Sequence, residues 1–214
     1  MNFLTDSILI VAILLSIFAL ASERLGSIIR AFAAQSLLIA FLPLIVHHGH
    51  LGLHQLVLLV VTVTIKVWLI PRLLFRAMRE VAIRRVGAPL ISHGASLVLA
   101  ALLVALSFVI SAHLPLPVTV VSQLLLPAAF STLLLGLLLL ITHSKAVTQV
   151  IGYLVVENGI YLVSICLIVE MPLLVEMGIL LDVFVGVFVM GIVIFRINRE
   201  FDHMDTHNLT ALKD

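Results

Sequence analysis

Three ionisable side chains lie inside long apolar segments of the sequence, where lipid rather than water would surround them. Lys66, Glu157 and Asp182 each stand about ten positions into an apolar run, which at about 1.5 Å per residue is roughly 15 Å, the middle of a bilayer. A charge at that depth costs on the order of 3 kcal/mol. Because a buried acid can exist in its neutral, protonated form near physiological pH, these residue types at one depth indicate proton exchange.

The neighbours of Glu157 indicate how a proton would travel along the same helix. Tyr153 and Tyr161 stand one helical turn before and after Glu157, and Asn158 follows it directly. Hydroxyl groups beside an acid can extend a path for protons. We therefore expect these three polar residues to extend a relay that passes through Glu157.

The relay hypothesis assigns a role to each charge, and a static alternative stays open. Glu157 and Asp182 are expected to carry the proton, with Lys66 tuning or linking them. In the alternative, the charges form a fixed pair between lysine and a carboxylate that locks helices together. Polar residues such as Gln35 in the second apolar run would then serve as interhelical hydrogen-bonding groups.

Candidate points where protons enter or leave lie nearer the ends of the segments. His143 and Lys145 follow the fifth apolar run, and Glu176 stands beside the turn before the seventh. We expect His143 and Lys145 on the side where protons enter and Glu176 where they leave. A simple membrane anchor explains Lys145 equally well, and Glu176 can be a solvated side chain.

No catalytic residue, metal site or redox-cofactor site is predicted in this chain. Cys166 is the single cysteine, so neither a disulfide within the chain nor a multi-cysteine zinc or iron-sulfur site can form. Four histidines cluster after the second run, but no acidic side chain nearby would support them as metal ligands. These histidines are His47, His48, His50 and His54.

Composition and hydropathy predict an all-α, polytopic membrane helix bundle. The 214 residues are 63% hydrophobic and 11% charged, with a mean hydropathy of +1.30, whereas soluble domains carry roughly a quarter charged residues. Apolar runs of spanning length predict about seven transmembrane helices. They cover residues 4–21, 28–46, 56–75, 93–112, 121–141, 147–169 and 173–195.

The distribution of basic residues predicts the orientation of these helices. All arginines and lysines except Lys66 lie on the first, third and fifth connections or in the tail. Cytoplasmic loops collect such residues, so the N-terminus is expected outside and the C-terminus in the cytoplasm. The expected division is a four-helix membrane segment, a three-helix membrane segment and a cytoplasmic polar tail, at residues 1–115, 116–196 and 197–214.

Several motifs resemble component E of the hydrogenase-4 and formate hydrogenlyase family. They are residues 152–162 (GYLVVENGIYL), 172–182 (PLLVEMGILLD) and 208–213 (NLTALK), together with Thr62, Lys66 and Pro71 of the third run. More distantly, the last three helices look like the K-type subunit of respiratory complex I and the C-type subunit of multisubunit sodium/proton antiporters. Asp182 stands where the K-type subunit has a glutamate, but the other K-type glutamate would fall at Leu154, one turn from Glu157.

This resemblance implies a membrane-arm subunit of a group 4 nickel-iron hydrogenase complex in the bacterial cytoplasmic membrane. The nickel-iron centre and the iron-sulfur clusters would then belong to partner subunits, with none in this chain. Expected partners are antiporter-like membrane subunits, the large and small hydrogenase subunits and the lipid bilayer, with no nucleic acid. The buried charges would contribute to proton translocation coupled to electron transfer.

Three other functions remain open from the residues. One is a structural scaffold subunit of the same membrane arm, and a second is a membrane subunit of a cation/proton antiporter-like complex. A third is an independent transporter, although the inverted repeats and paired broken helices typical of transporters are not evident.

Overall fold

The structure, a computed structural model, describes most of the apolar part of the chain. The described residues are 2–46, 53–80, 91–114, 122–143, 145–166, 178 and 180–191. Glu176, the tail 197–214, the loop histidines His47, His48 and His50, and the expected divisions after residues 115 and 196 lie outside this set.

Every regular element among the described residues is a helix. Five helices are long and apolar enough to cross a membrane, so the prediction of an all-α polytopic membrane bundle is confirmed. The number of seven spans and their orientation stay predictions. The helices are α1 (Asn2–Ala21), α2 (Leu25–Val46), α3 (Leu53–Val63), α4 (Ile70–Glu80), α5 (His93–His113), α6 (Leu125–Thr142), α7 (Ala146–Cys166) and α8 (Leu180–Gly191).

A π-helical turn, Thr64–Leu69, joins α3 to α4 without interrupting the helix. The backbone stays helical at both Val63 and Ile70, and the Ile70 N–H donates to the Ile65 carbonyl five residues earlier. Pro71 follows at once, and a proline ring clashes with the carbonyl four positions before it and lacks an N–H. The wider turn relieves that conflict, and the third predicted helix therefore continues to Glu80 rather than ending near residue 75.

Helices α6 and α7 pack backbone against backbone through glycines. A methyl group added at Gly159 would lie 2.6 Å from the Leu133 backbone N, and one added at Gly152 would lie 2.8 Å from that of Leu140. Small residues allow helices to approach this closely. The resulting van der Waals contact holds them together, because lipid supplies no hydrophobic driving force for helix association. This contact fixes the level and rotation of α7, the helix that carries Glu157.

Helices α1, α2, α6 and α7 form the centre of the bundle, and α5 lies at its edge. Helix α5 turns small residues inward, Ser96, Ala100, Ser107 and Ser111, while most of its leucines and valines are exposed. Helix α1 packs on α2, α5 and α6, and α2 also contacts α7 and the long helix that contains the π-helical turn. That long helix also contacts α7 directly.

Replacing Gly159 by alanine is expected to lower the free energy of unfolding by about 1–3 kcal/mol, since α6 and α7 must separate to admit the methyl group. Thermal unfolding in detergent measures this change. Gly94→Ala is the matched control, because a methyl group there would meet no atom within 4 Å beyond its chain neighbours and its own helix backbone. An equal loss of stability in both variants would contradict the packing described for Gly159.

Candidate functional site

Lys66, Glu157 and Asp182 come together in the core of the bundle. The Lys66 ammonium Nζ lies 2.8 Å from Glu157 Oε1 and 3.8 Å from Asp182 Oδ2. Lys66 lies in the π-helical turn, Glu157 in α7 and Asp182 in α8. We refer to these three residues as the charge cluster.

The charge cluster is shielded from its surroundings and incompletely hydrogen-bonded. Lys66 and Glu157 are each 7% exposed and Asp182 is 1% exposed. Glu157 Oε2 and both carboxylate oxygens of Asp182 accept no hydrogen bond from any described residue. Two carboxylates also face a single ammonium, so the fully ionised cluster would keep one uncompensated negative charge. The cluster therefore has both the charge imbalance and the free acceptor oxygens to take up one more proton.

A chain of polar side chains continues from the charge cluster into α2. Lys66 Nζ donates to Asn158 Oδ1 at 3.4 Å. The amide nitrogen of Asn158 donates in turn to Ser36 Oγ at 3.0 Å and lies 3.5 Å from Gln35 Oε1. Both α2 residues are buried, so α7 and α2 are joined by hydrogen bonds within the apolar core.

Gln35 extends this series of hydrogen bonds to α1. This agrees with the sequence interpretation of Gln35 as an interhelical hydrogen-bonding group. Its amide nitrogen donates to Ser16 Oγ at 2.8 Å and to the Ala12 carbonyl at 3.1 Å. Sequence analysis did not find Ser16 or Ser36. Their position deep in apolar runs, at a depth similar to that of Gln35, was the available signal. It is a weak one, because serine in a helix often bonds its own backbone, as Ser16 also does at the Ala12 carbonyl.

Relatives of known sequence identify the family. The chain is 34% identical to hydrogenase-4 component E of Escherichia coli strain K12 over 148 residues, which cover 69% of this chain and 68% of that protein. The same values hold for hydrogenase-4 component E of Shigella flexneri. The chain belongs to the hydrogenase-4 component E family.

Another relative matches over almost the whole length. The uncharacterized protein Rv0085 of Mycobacterium tuberculosis is 31% identical over 206 residues, which cover 94% of this chain and 92% of that protein. No family model matches the chain, and no solved structure does.

In this component E family member, the tyrosines beside Glu157 are near the charge cluster without bonding to it. Tyr153 and Tyr161 are partly buried and pack against the apolar core. Neither hydroxyl forms a hydrogen bond with Glu157 among the described residues. Tyr153 instead lines a crevice between α7 and α8, with Phe184 and Phe188 opposite. The relay role of both tyrosines stays a prediction, whereas Asn158 bonds directly to Lys66.

His143 and Lys145 lie at one end of the bundle, away from the charge cluster. His143 is buried just after α6, and its Nδ1 lies 3.1 Å from the Leu139 carbonyl and 2.9 Å from Thr142 Oγ1. Burial lowers the pKa of His143 below its usual value of 6.5, and the nearby His93 adds to this effect, while the bond to Leu139 opposes it. The neutral ring can accept a proton, and the role of this end in proton entry stays a prediction.

Metal binding would be an alternative use of these side chains. No group of three histidine, cysteine, aspartate or glutamate side chains in the described ranges is arranged to hold a metal ion. The charge cluster itself pairs two carboxylates with a lysine, and an ammonium has no lone pair to offer a metal. Among the described residues, the charge cluster is therefore an ion-pair site.

Replacing Lys66 by methionine is expected to destabilise the folded protein by about 3 kcal/mol or more, because two buried acids lose the cation that both of them face. Adding Glu157→Gln to that variant should restore part of the loss, since one buried charge is then removed. Thermal unfolding in detergent of the wild type, both single variants and the double variant measures the coupling. Strictly additive losses would contradict the ion pair.

The lowered pKa of His143 predicts how stability depends on pH. The unfolded chain binds more protons than the folded chain once the pH falls towards and below 6.5, so this contribution to stability is present above pH 6.5 and is lost as the solution becomes more acidic. The His143→Asn variant has no titrating ring and should lose less stability on acidification. Unfolding temperatures across this range test the difference, and identical pH profiles would show that His143 is not the responsible group.

Proposed function

We propose that this chain is a membrane subunit of a hydrogenase complex and that its charge cluster exchanges protons while partner subunits transfer electrons. The family relationship supports the first part, because the E. coli and Shigella relatives are components of hydrogenase-4. The second part rests on one observation, the meeting of Lys66, Glu157 and Asp182 within the core.

Charge balance explains why such a cluster would carry a proton. With both acids ionised the cluster has a net charge of minus one, and one added proton makes it neutral. A low-dielectric surrounding penalises the uncompensated charge. Three unoccupied acceptor oxygens on Glu157 and Asp182 offer sites for that proton. Gain and loss of the proton would therefore switch the cluster between two charge states.

The two carboxylates are unequal partners of the ammonium, which suggests how the switch would work. Lys66 forms a short contact with Glu157 and a longer one with Asp182. Protonation of Glu157 would weaken the short contact and strengthen the attraction towards Asp182. Lys66 would then change partners, while Asn158 holds the ammonium near its place. Such a movement would couple protonation of Glu157 to a displacement of the Lys66 ammonium within the membrane.

The partners in this proposal are the other subunits of the hydrogenase complex. Antiporter-like membrane subunits would continue the path of the proton, as the distant sequence resemblance of the last three helices to the K-type complex I subunit would imply. The large and small hydrogenase subunits would hold the nickel-iron centre and the iron-sulfur clusters. The proposed location of the complex is the bacterial cytoplasmic membrane.

A scaffold function is the second candidate, and the polar chain from Asn158 to α1 favours it. Hydrogen bonds through Ser36, Gln35 and Ser16 tie α7, α2 and α1 together, and buried polar groups of this kind often serve packing in membrane proteins. In that case neutralising the cluster would reduce assembly of the complex and leave proton transport per assembled complex unchanged.

The Glu157→Gln variant distinguishes the two functions in membrane vesicles that contain the assembled complex. Proton translocation per hydrogen formed is expected to fall to about a hundredth or less, the order of the contribution of one proton-transfer group. Hydrogenase activity should remain, because the metal centres lie in other subunits. Native gel electrophoresis checks that the amount of assembled complex is unchanged.

The matched control is Glu23→Gln, which removes an exposed acid paired with His93 outside the cluster. This variant should translocate protons as the wild type does. Normal translocation in Glu157→Gln with full assembly would contradict the proton-exchange function, and loss of assembly alone would support the scaffold.

A further inference from the structure

A basic crevice runs along the outer face of α4, apart from the charge cluster. It has a volume of about 650 Å³, and three arginines line it, Arg72, Arg76 and Arg79. These positions recur at intervals of four and three residues, so they share one face of the helix. Among the described residues, no acidic side chain lines the crevice.

The depth of the arginines matches the level of lipid headgroups. Lys66, a member of the charge cluster, marks the depth of the cluster on this helix. At about 1.5 Å per residue, Arg72 lies roughly 9 Å further along the helix, Arg76 roughly 15 Å and Arg79 roughly 20 Å. The hydrocarbon layer of one leaflet is about 15 Å thick. The three guanidinium groups therefore bracket the boundary between hydrocarbon and headgroups.

The two ends of the crevice differ in chemistry. Val67, Trp68 and Pro71 line the deeper end and the arginines the shallower end. Trp68 is 58% exposed, and the Arg72 guanidinium lies over its ring, 5.0 Å from the centroid. Stacking on an aromatic face leaves the N–H groups at the edge of a guanidinium available for an anion.

We propose that this crevice binds an anionic phospholipid, with its phosphate on the arginines and an acyl chain against Trp68 and Val67. Arginine suits phosphate because its planar donors can contact two oxygens at once. Basic pockets at this level of a membrane bind anionic headgroups. Free inorganic phosphate would use only the basic end, whereas a phospholipid also covers the apolar end.

The test compares Arg72→Gln/Arg79→Gln with Arg24→Gln/Arg30→Gln. Both variants lose two exposed arginines, and only the first pair lines the crevice. The complex containing each chain is purified in mild detergent and offered phosphatidylglycerol, and native mass spectrometry counts the retained lipid. We expect retention by the wild type and by the Arg24/Arg30 variant, and about 30-fold weaker binding by the Arg72/Arg79 variant.

Competition distinguishes the sources of the phosphate and the kinds of ligand. Phosphatidylcholine and inorganic phosphate at equal concentration should leave bound phosphatidylglycerol in place. Displacement by inorganic phosphate, equal binding in both double variants, or no retained anionic lipid would each overturn the proposal. So would a photocrosslinker at Trp68 that captures a partner protein instead of phosphatidylglycerol.

A conservative variant covers the case in which the glutamine variant fails to fold. Arg72→Lys/Arg79→Lys keeps both charges but loses the planar donors and the stacking on Trp68. Its binding of phosphatidylglycerol should fall several-fold below that of the wild type while the complex stays assembled. Unchanged lipid binding by this variant would overturn the assigned role of the two guanidinium groups.

Discussion

The buried ammonium of Lys66 needs charged or polar partners, because apolar side chains cannot replace the water that it has lost. Its partners are two carboxylates and one amide, which come from α7 and α8. Each reaches the lysine only if its helix stands at the right level and rotation. The π-helical turn directs Lys66 inward, and the glycine contact between α6 and α7 fixes the level of Glu157 and Asn158. Much of the packing around the centre can be understood as the support of this single ion-pair geometry.

One helix carries both the buried and the peripheral basic groups. From Leu53 to Glu80 it contributes Lys66 to the core and, a few turns later, Arg72, Arg76 and Arg79 to the crevice. Lys66 contacts acids of the same chain, whereas the three arginines lie at the level of lipid phosphates. A shift of this helix along its axis would alter both sets of contacts.

Hydropathy and charge spacing predicted the helical membrane bundle and the common depth of the three charges, because lipid restricts spanning segments to helices and makes buried charge rare. Depth does not determine which helices are neighbours, so the contact of Lys66 with both acids appears only in the fold. The π-helical turn was also missed, since Pro71 signals a disturbed helix without specifying its form. Ser16 and Ser36 were missed because a buried serine can satisfy itself on its own backbone.

Infrared difference spectroscopy of the assembled complex tests most directly whether the charge cluster holds an exchangeable proton. Spectra in light and heavy water detect protonated buried carboxyl groups and their exchange. The account predicts one such carboxyl signal that is altered in both Glu157→Gln and Asp182→Asn, because the two acids share one proton. A wild-type spectrum with no protonated carboxyl, or a signal unaffected by either substitution, would contradict proton exchange and leave a fixed ion-pair network.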